Sequence, residues 1–180
     1  LMGNRFLYRY SSTDKKTTLV HQVSQGDKNI VSLAFDSNGD FWLARTNGEL
    51  QKFDSRTRGI IATTKEVAGY FKNDSLNYSL FIDAQNEVWV YASMLPLGVI
   101  HYSPSTQLIE HINSASSRYR LNNNIVVSVV QDNKGKIWIS TDHGGINVLD
   151  KNRRSIEYIL NNADDDKSLG QNSITVTYKD

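Results

Sequence analysis

The tryptophans recur at a nearly constant interval, and that interval constrains the chain more than any other feature. Trp42, Trp89 and Trp138 stand 47 and 49 residues apart. Each follows an aspartate by six positions (Asp36, Asp83 and Asp132), and a fourth aspartate, Asp180, follows Asp132 by 48. A glycine comes later in each unit, Gly48, Gly98 and Gly145, with a two-residue insertion before the second. Three units therefore align, at 29–54, 76–103 and 124–150. A repeat of this length marks an array of supersecondary units, each too small to bury its apolar face alone and stacked on its neighbours.

Each unit reads as four short strands. In the third, Ile125–Gln131 is a β-branched apolar run, Lys136–Thr141 alternates around Trp138, and Gly145–Asp150 and Ser155–Leu160 follow after polar turns. Asp132-Asn133-Lys134-Gly135 is a tight turn whose last position suits positive φ, and Gly39 and Asn86 occupy that position in the other units. A four-stranded antiparallel meander at this spacing is the signature of a β-propeller blade. A parallel α/β arrangement is excluded, because no segment carries a helical period of useful length.

The fold class is therefore all-β, a segment of a β-propeller with about 3.75 four-stranded antiparallel blades. A partial blade spans 3–24, with strands at Arg5–Tyr10 and Thr17–Val23. Whole blades follow at about 29–65, 75–113 and 124–161, and the first strand of a further blade at 173–180, chiefly Ser173–Lys179. The two partial blades lack a second strand with its tryptophan, so they do not combine into one. The expectation is a piece cut inside a blade, with the remaining blades and adjacent domains of the parent chain as its partners. A homodimer of half rings is the second route to closure, an imperfect one for want of that strand.

The anchors have structural readings. A tryptophan at one repeat position in every blade belongs to the packing between blades, not to a sugar platform. The aspartate ahead of each turn is suited to accept backbone N–H bonds within its hairpin.

Composition narrows the partners. Among 180 residues, 20 Lys and Arg against 19 Asp and Glu leave a net charge of +1, without the basic excess of nucleic-acid binders. No apolar run approaches the roughly 20 residues of a membrane span. Asn4 and Arg5 come too early for an apolar leader segment. The absence of cysteine excludes disulfides, thiolate metal sites and a cysteine nucleophile.

The third unit carries a family resemblance. Asn123-Asn124-Ile125, Gln131-Asp132-Asn133-Lys134-Gly135-Lys136-Ile137-Trp138-Ile139-Ser140-Thr141 and Gly144-Gly145-Ile146-Asn147-Val148-Leu149-Asp150 resemble the two-component regulator propeller repeat. The stretch 161–172 is similar to the linker into that family's next repeat. The second unit departs from the pattern, with Asn86 at the turn and Met94-Leu95-Pro96-Leu97 in the following loop. The resemblance implies a periplasmic sensor region, the ectodomain of an inner-membrane hybrid histidine kinase, responding to an oligosaccharide. The expected function is that of a non-catalytic sensor segment that detects the sugar or relays its binding. A protein-interaction scaffold, or a propeller lyase or hydrolase whose site lies in other blades, is the alternative.

Chemistry within the chain is sparse. His21, His101, His111 and His143 form no zinc-ligand motif, so no metal or cofactor is expected. Asp142-His143 lacks the nucleophile elbow of a triad, and no catalytic residue is assigned. Binding candidates are Arg118, Tyr119, Arg120 and Asn123, which lie ahead of the third blade, together with Arg45, Tyr91 and His143 after second strands. Aromatic faces stack on sugar C–H surfaces, and guanidinium and amide groups bond hydroxyls or acidic groups. Lead-in loops and the loops between second and third strands are expected on one face.

Overall fold

The computed structural model describes residues 2–71 and 75–179. Asp180, the fourth repeat aspartate, lies outside the described residues. The chain divides into two compact units, 1–80 and 81–180.

The first unit holds two antiparallel sheets. One is three-stranded, in the order β1 (Met2–Gly3), β2 (Phe6–Ser11), β3 (Lys16–Gln22). The other runs β4 (Ile30–Phe35), β5 (Phe41–Arg45), β6 (Leu50–Phe53), β7 (Ile60–Thr64) in chain order. Helix α1 (Glu66–Phe71) follows, burying Val67 and Phe71. Its six residues are too few to display an amphipathic period, so nothing in the sequence pattern announced it. Phe71 stacks on Tyr78 at 5.9 Å between ring centroids.

The next sheet contains β8 (Tyr78–Ile82), at the division between the units, β9 (Val88–Ala92), β10 (Val99–Ser103) and β11 (Leu108–Ile112). The second unit completes itself with β12 (Val126–Gln131), β13 (Ile137–Thr141), β14 (Ile146–Asp150) and β15 (Ser155–Ile159), again paired in chain order. The fold is all-β, and each whole blade is the four-stranded meander read from the sequence.

Two elements differ from expectation. The partial blade has a third strand, because Met2 and Gly3 pair with Leu7 and Phe6. Residues 173–179 form no ladder. Ile174 N–H reaches Thr141 O at 3.3 Å and the Thr177 hydroxyl meets that of Ser140, but these contacts only tether the segment. A first strand needs the second strand of its own hairpin to pair with, and among the described residues none follows.

The three hairpin turns repeat in atomic detail. Asp36, Asp83 and Asp132 each accept two backbone N–H bonds on Oδ1, from Asn38 and Asp40, Gln85 and Glu87, Lys134 and Lys136, all at 2.9–3.1 Å. Asn86 takes φ 62° where the other turns use Gly39 and Gly135; asparagine tolerates this left-handed conformation best among side chains. Trp42 and Trp89 are buried. Trp89 centres a cluster with Val126, Val129, Ile137 and Ile139 of the following blade. Trp138 is only half-buried.

Candidate functional site

Backbone bonds stitch lead-in loops to the loops between second and third strands. In the second unit Gly98 N–H donates to Asn124 O, Asp142 N–H to Ile125 O, and Gly145 N–H to Asn172 O, at 2.8–2.9 Å. In the first unit Leu76 N–H donates to Thr46 O at 2.9 Å and Thr46 N–H to Asn29 O at 3.0 Å. The two loop types thus meet at one end of the blades. Gly145 is required there: at φ 65° an added Cβ would run into the Ile159 carbonyl.

The seven candidate residues fare differently. In the second unit the chain at Gly144 passes so close to Asn123 that a Cβ would lie 2.6 Å from that side chain, so Asn123 and the His143 loop are neighbours. His143 itself is exposed, 74% of its side chain, with φ 63° and Nδ1 2.9 Å from Asp142 Oδ1. Asn123 Oδ1 accepts the Ile125 N–H at 2.8 Å. Arg118 and Arg120 are exposed. The Tyr158 hydroxyl on β15 donates to Arg120 O at 2.7 Å, holding that segment beside the last strand of the blade.

The remaining three are taken up internally. Tyr119 is buried in the Trp89 cluster, and that burial raises its hydroxyl above the ordinary value. Tyr91 is half-buried against the same cluster. In the first unit Arg45 is buried: Nε and a terminal nitrogen donate to Gln51 Oε1 at 3.2 and 2.8 Å, and the other terminal nitrogen to Lys28 O at 2.8 Å.

At the hairpin-turn end the second unit holds a charge cluster that the sequence pattern did not reveal. Trp89 Nε1 donates to Asp83 Oδ2 at 3.0 Å, and Trp138 Nε1 repeats the bond to Asp132 Oδ2 at 3.0 Å. The six-residue spacing is the length of chain that closes this bond across the hairpin. Lys151, from the turn after β14, donates to Asp83 Oδ2 at 2.6 Å and Glu87 Oε2 at 2.7 Å and stands over the Trp89 ring. His101 Nε2 lies 2.9 Å from Glu87 Oε2, and its ring stacks on Trp89 at 4.3 Å. Burial opposes the charge on Glu87, but bonds from Lys151 and His101 outweigh it, so the carboxyl lies below its ordinary value. Lys151 is raised, since its two carboxylates overcome the cost of burial. The only signal for this network in the sequence was the repeated Asp and Trp. Among the described residues no group of three or more His, Cys, Asp or Glu side chains could hold a metal ion.

Residues 120–143 match the family profile of the two component regulator propeller, the stretch from the lead-in loop through Asp132 and Trp138 to His143. Among curated protein sequences none matches the chain. Among solved structures, the extracellular domain of a protein described as a hybrid two component system from B. thetaiotaomicron is similar over 79% of this chain, with TM-score 0.54 and 16% identity. A Bacteroides thetaiotaomicron protein of unknown function is similar over 89%, with TM-score 0.59 and 15% identity. The β-propeller domain of Myceliophteria thermophila Cps50 (Swd1) is similar over 86%, with TM-score 0.57 and 16% identity. The chain spans 19%, 43% and 52% of those chains respectively. Identities this low carry the fold alone, and the fold is that of β-propeller blades.

Proposed function

We propose that this chain is a run of blades from the extracellular sensor region of a hybrid two-component regulator, facing the periplasm. The observation that carries the reading is the two-component regulator propeller repeat at 120–143. The similarity to an extracellular domain of a hybrid two component system supports it. Among the described residues no helix is long and apolar enough to cross a membrane.

The segment binds an oligosaccharide, or relays its binding towards a histidine kinase, without chemistry on the sugar. Arg118, Arg120 and His143 supply exposed donors for hydroxyl and acidic groups in the second unit. Signal transfer then rests on unequal affinity of the ligand for two arrangements of neighbouring domains.

Calorimetric titration of the 180-residue chain with a panel of neutral and acidic oligosaccharides tests this. Saturable heat without new reducing ends is expected. A double substitution, Arg118→Ala with Arg120→Ala, should weaken the binding by about tenfold or more. Release of reducing ends refutes the non-catalytic reading, and no binding across the panel refutes direct binding of the sugar by this segment.

A further inference from the structure

Two asparagine–glycine pairs occur in the chain, Asn38-Gly39 and Asn47-Gly48, at opposite ends of β5 in the first unit. Their intrinsic chemistry is the same. A glycine nitrogen has no side chain beside it to hinder its approach to the carboxamide carbon of the residue ahead. Attack there closes a five-membered ring and expels ammonia, which is what makes asparagine thermolabile. The surroundings decide which pair can do this.

Asn38-Gly39 forms the tip of the turn between β4 and β5. Both residues are exposed, and a Cβ built on Gly39 meets nothing within 4 Å. Among the described residues the Asn38 carboxamide has no hydrogen-bond partner. One backbone bond restrains the attacking nitrogen, from Gly39 N–H to Asp36 O at 3.1 Å. Opening it rearranges only the exposed turn, and such local openings lie far below global unfolding in free energy.

Asn47-Gly48 is held on every side. Gly48 is buried, and a Cβ there would stand 2.9 Å from the backbone of Ala68 in α1. Its N–H donates to Arg45 O at 2.9 Å, and Arg45 is itself fixed by Gln51 and the Lys28 carbonyl. Asn47 Oδ1 accepts the Glu49 N–H at 3.2 Å. Turning Gly48 onto the Asn47 carboxamide would drive the chain into α1. The turns equivalent to Asn38-Gly39 in the other two blades carry Gln85-Asn86 and Lys134-Gly135, which lack the pair.

We infer that Asn38 is a site of spontaneous covalent modification, the place where this chain loses a side-chain amide with age. Gly39 N gives up its proton and bonds to Asn38 Cγ. The Cγ–Nδ2 bond breaks, and the amide nitrogen leaves with that proton as ammonia. Water then opens the cyclic imide, its hydroxyl going to one carbonyl carbon and its proton back to Gly39 N. Opening at Cγ gives aspartate, and opening at the main-chain carbonyl gives isoaspartate. Isoaspartate routes the backbone through the former side chain, adding a methylene between the amides of residues 38 and 40. Those two amides share Asp36 Oδ1 at 2.9 and 3.1 Å, so the longer link pulls one of them away. Either product also adds a carboxylate beside Asp36 and Asp40, whose cation Lys52 already stands 2.7 and 3.6 Å from them.

The test incubates the 180-residue chain in mildly alkaline buffer, folded and in parallel in urea, and locates isoaspartate by peptide mapping. In urea the two pairs should convert at comparable rates. In the folded chain Asn38 should convert about tenfold or more faster than Asn47. Asn38→Gln, whose ring closure needs six members, should remove most of the ammonia that the folded chain releases. The isoaspartate fraction, separated by charge, should unfold about 3 °C below the fresh chain. The inference is overturned if the two pairs convert alike in the folded chain, or if Asn38 stays intact there while both convert in urea. It is also overturned if the converted fraction keeps the fresh chain's midpoint.

Discussion

Replacing Lys151 by methionine removes an ammonium that bonds both Asp83 and Glu87. The Asp83 side chain is fully buried, while 21% of Lys151 and 24% of Glu87 remain exposed. Breaking a fully buried pair costs about 3–5 kcal/mol and an exposed one about 0–1 kcal/mol. The geometry lies nearer the first, because one carboxylate has no access to water, but the partial exposure of the other two groups lowers the figure. We expect a loss of about 2–3 kcal/mol, or about 5–10 °C in thermal midpoint. The Trp89–Asp83 bond remains, so the blade should stay folded. The assay is urea unfolding followed by tryptophan fluorescence, with an unchanged slope against denaturant. The sign of the pH dependence follows from the shifts. Glu87 is depressed below 4.5, so its contribution is complete above that pH and is lost as pH falls through the folded value. Lys151 is raised above 10.5, so its share is complete below that pH and is lost only on passing through the higher folded value. The difference between wild type and Lys151→Met should be flat from about pH 5 to 10 and shrink below pH 4.5. A difference under about 0.5 kcal/mol at pH 7, or one that persists unchanged at pH 3, would refute the reasoning.

Three further outcomes are expected. Trp89→Ala should cost about 3–5 kcal/mol in urea unfolding, and Trp138→Ala only about 1–2 kcal/mol, because Trp138 is half-buried. Gly145→Ala should cost about 2 kcal/mol or more through positive φ and the Ile159 carbonyl, while Gly170→Ala, with open space around it, should be nearly neutral in the same measurement. Burial first, and then the Arg45 guanidinium, hold His21 below its ordinary 6.5, with Asp27 opposing. Its folded value is depressed, so stability should decline as pH falls below 6.5, and a pH series of urea midpoints should show that slope flattened in His21→Gln.

The local chemistry of each hairpin was legible in the sequence. An aspartate that accepts its own turn's amides, a residue that tolerates positive φ three positions on, and a tryptophan six positions on are short-range requirements, so each blade states them again. From these follow the four-stranded units and the burial of Trp42 and Trp89. Which polar side chain remains available was decided by groups brought in from far along the chain. Lys151 reaches Asp83 across 68 positions, and Tyr158 reaches the Arg120 carbonyl across 38. Tyr119 and Arg45 have the composition of binding residues, but tertiary packing gives them interior partners, and exposed Arg118, Arg120 and His143 remain. Ser173–Lys179 has the alternation of a strand but forms no ladder, since alternation fixes the faces of a strand and only a partner gives it hydrogen bonds. Residue periodicity therefore determined which side chains face inward, and tertiary structure decided which inward or outward polar groups were already satisfied.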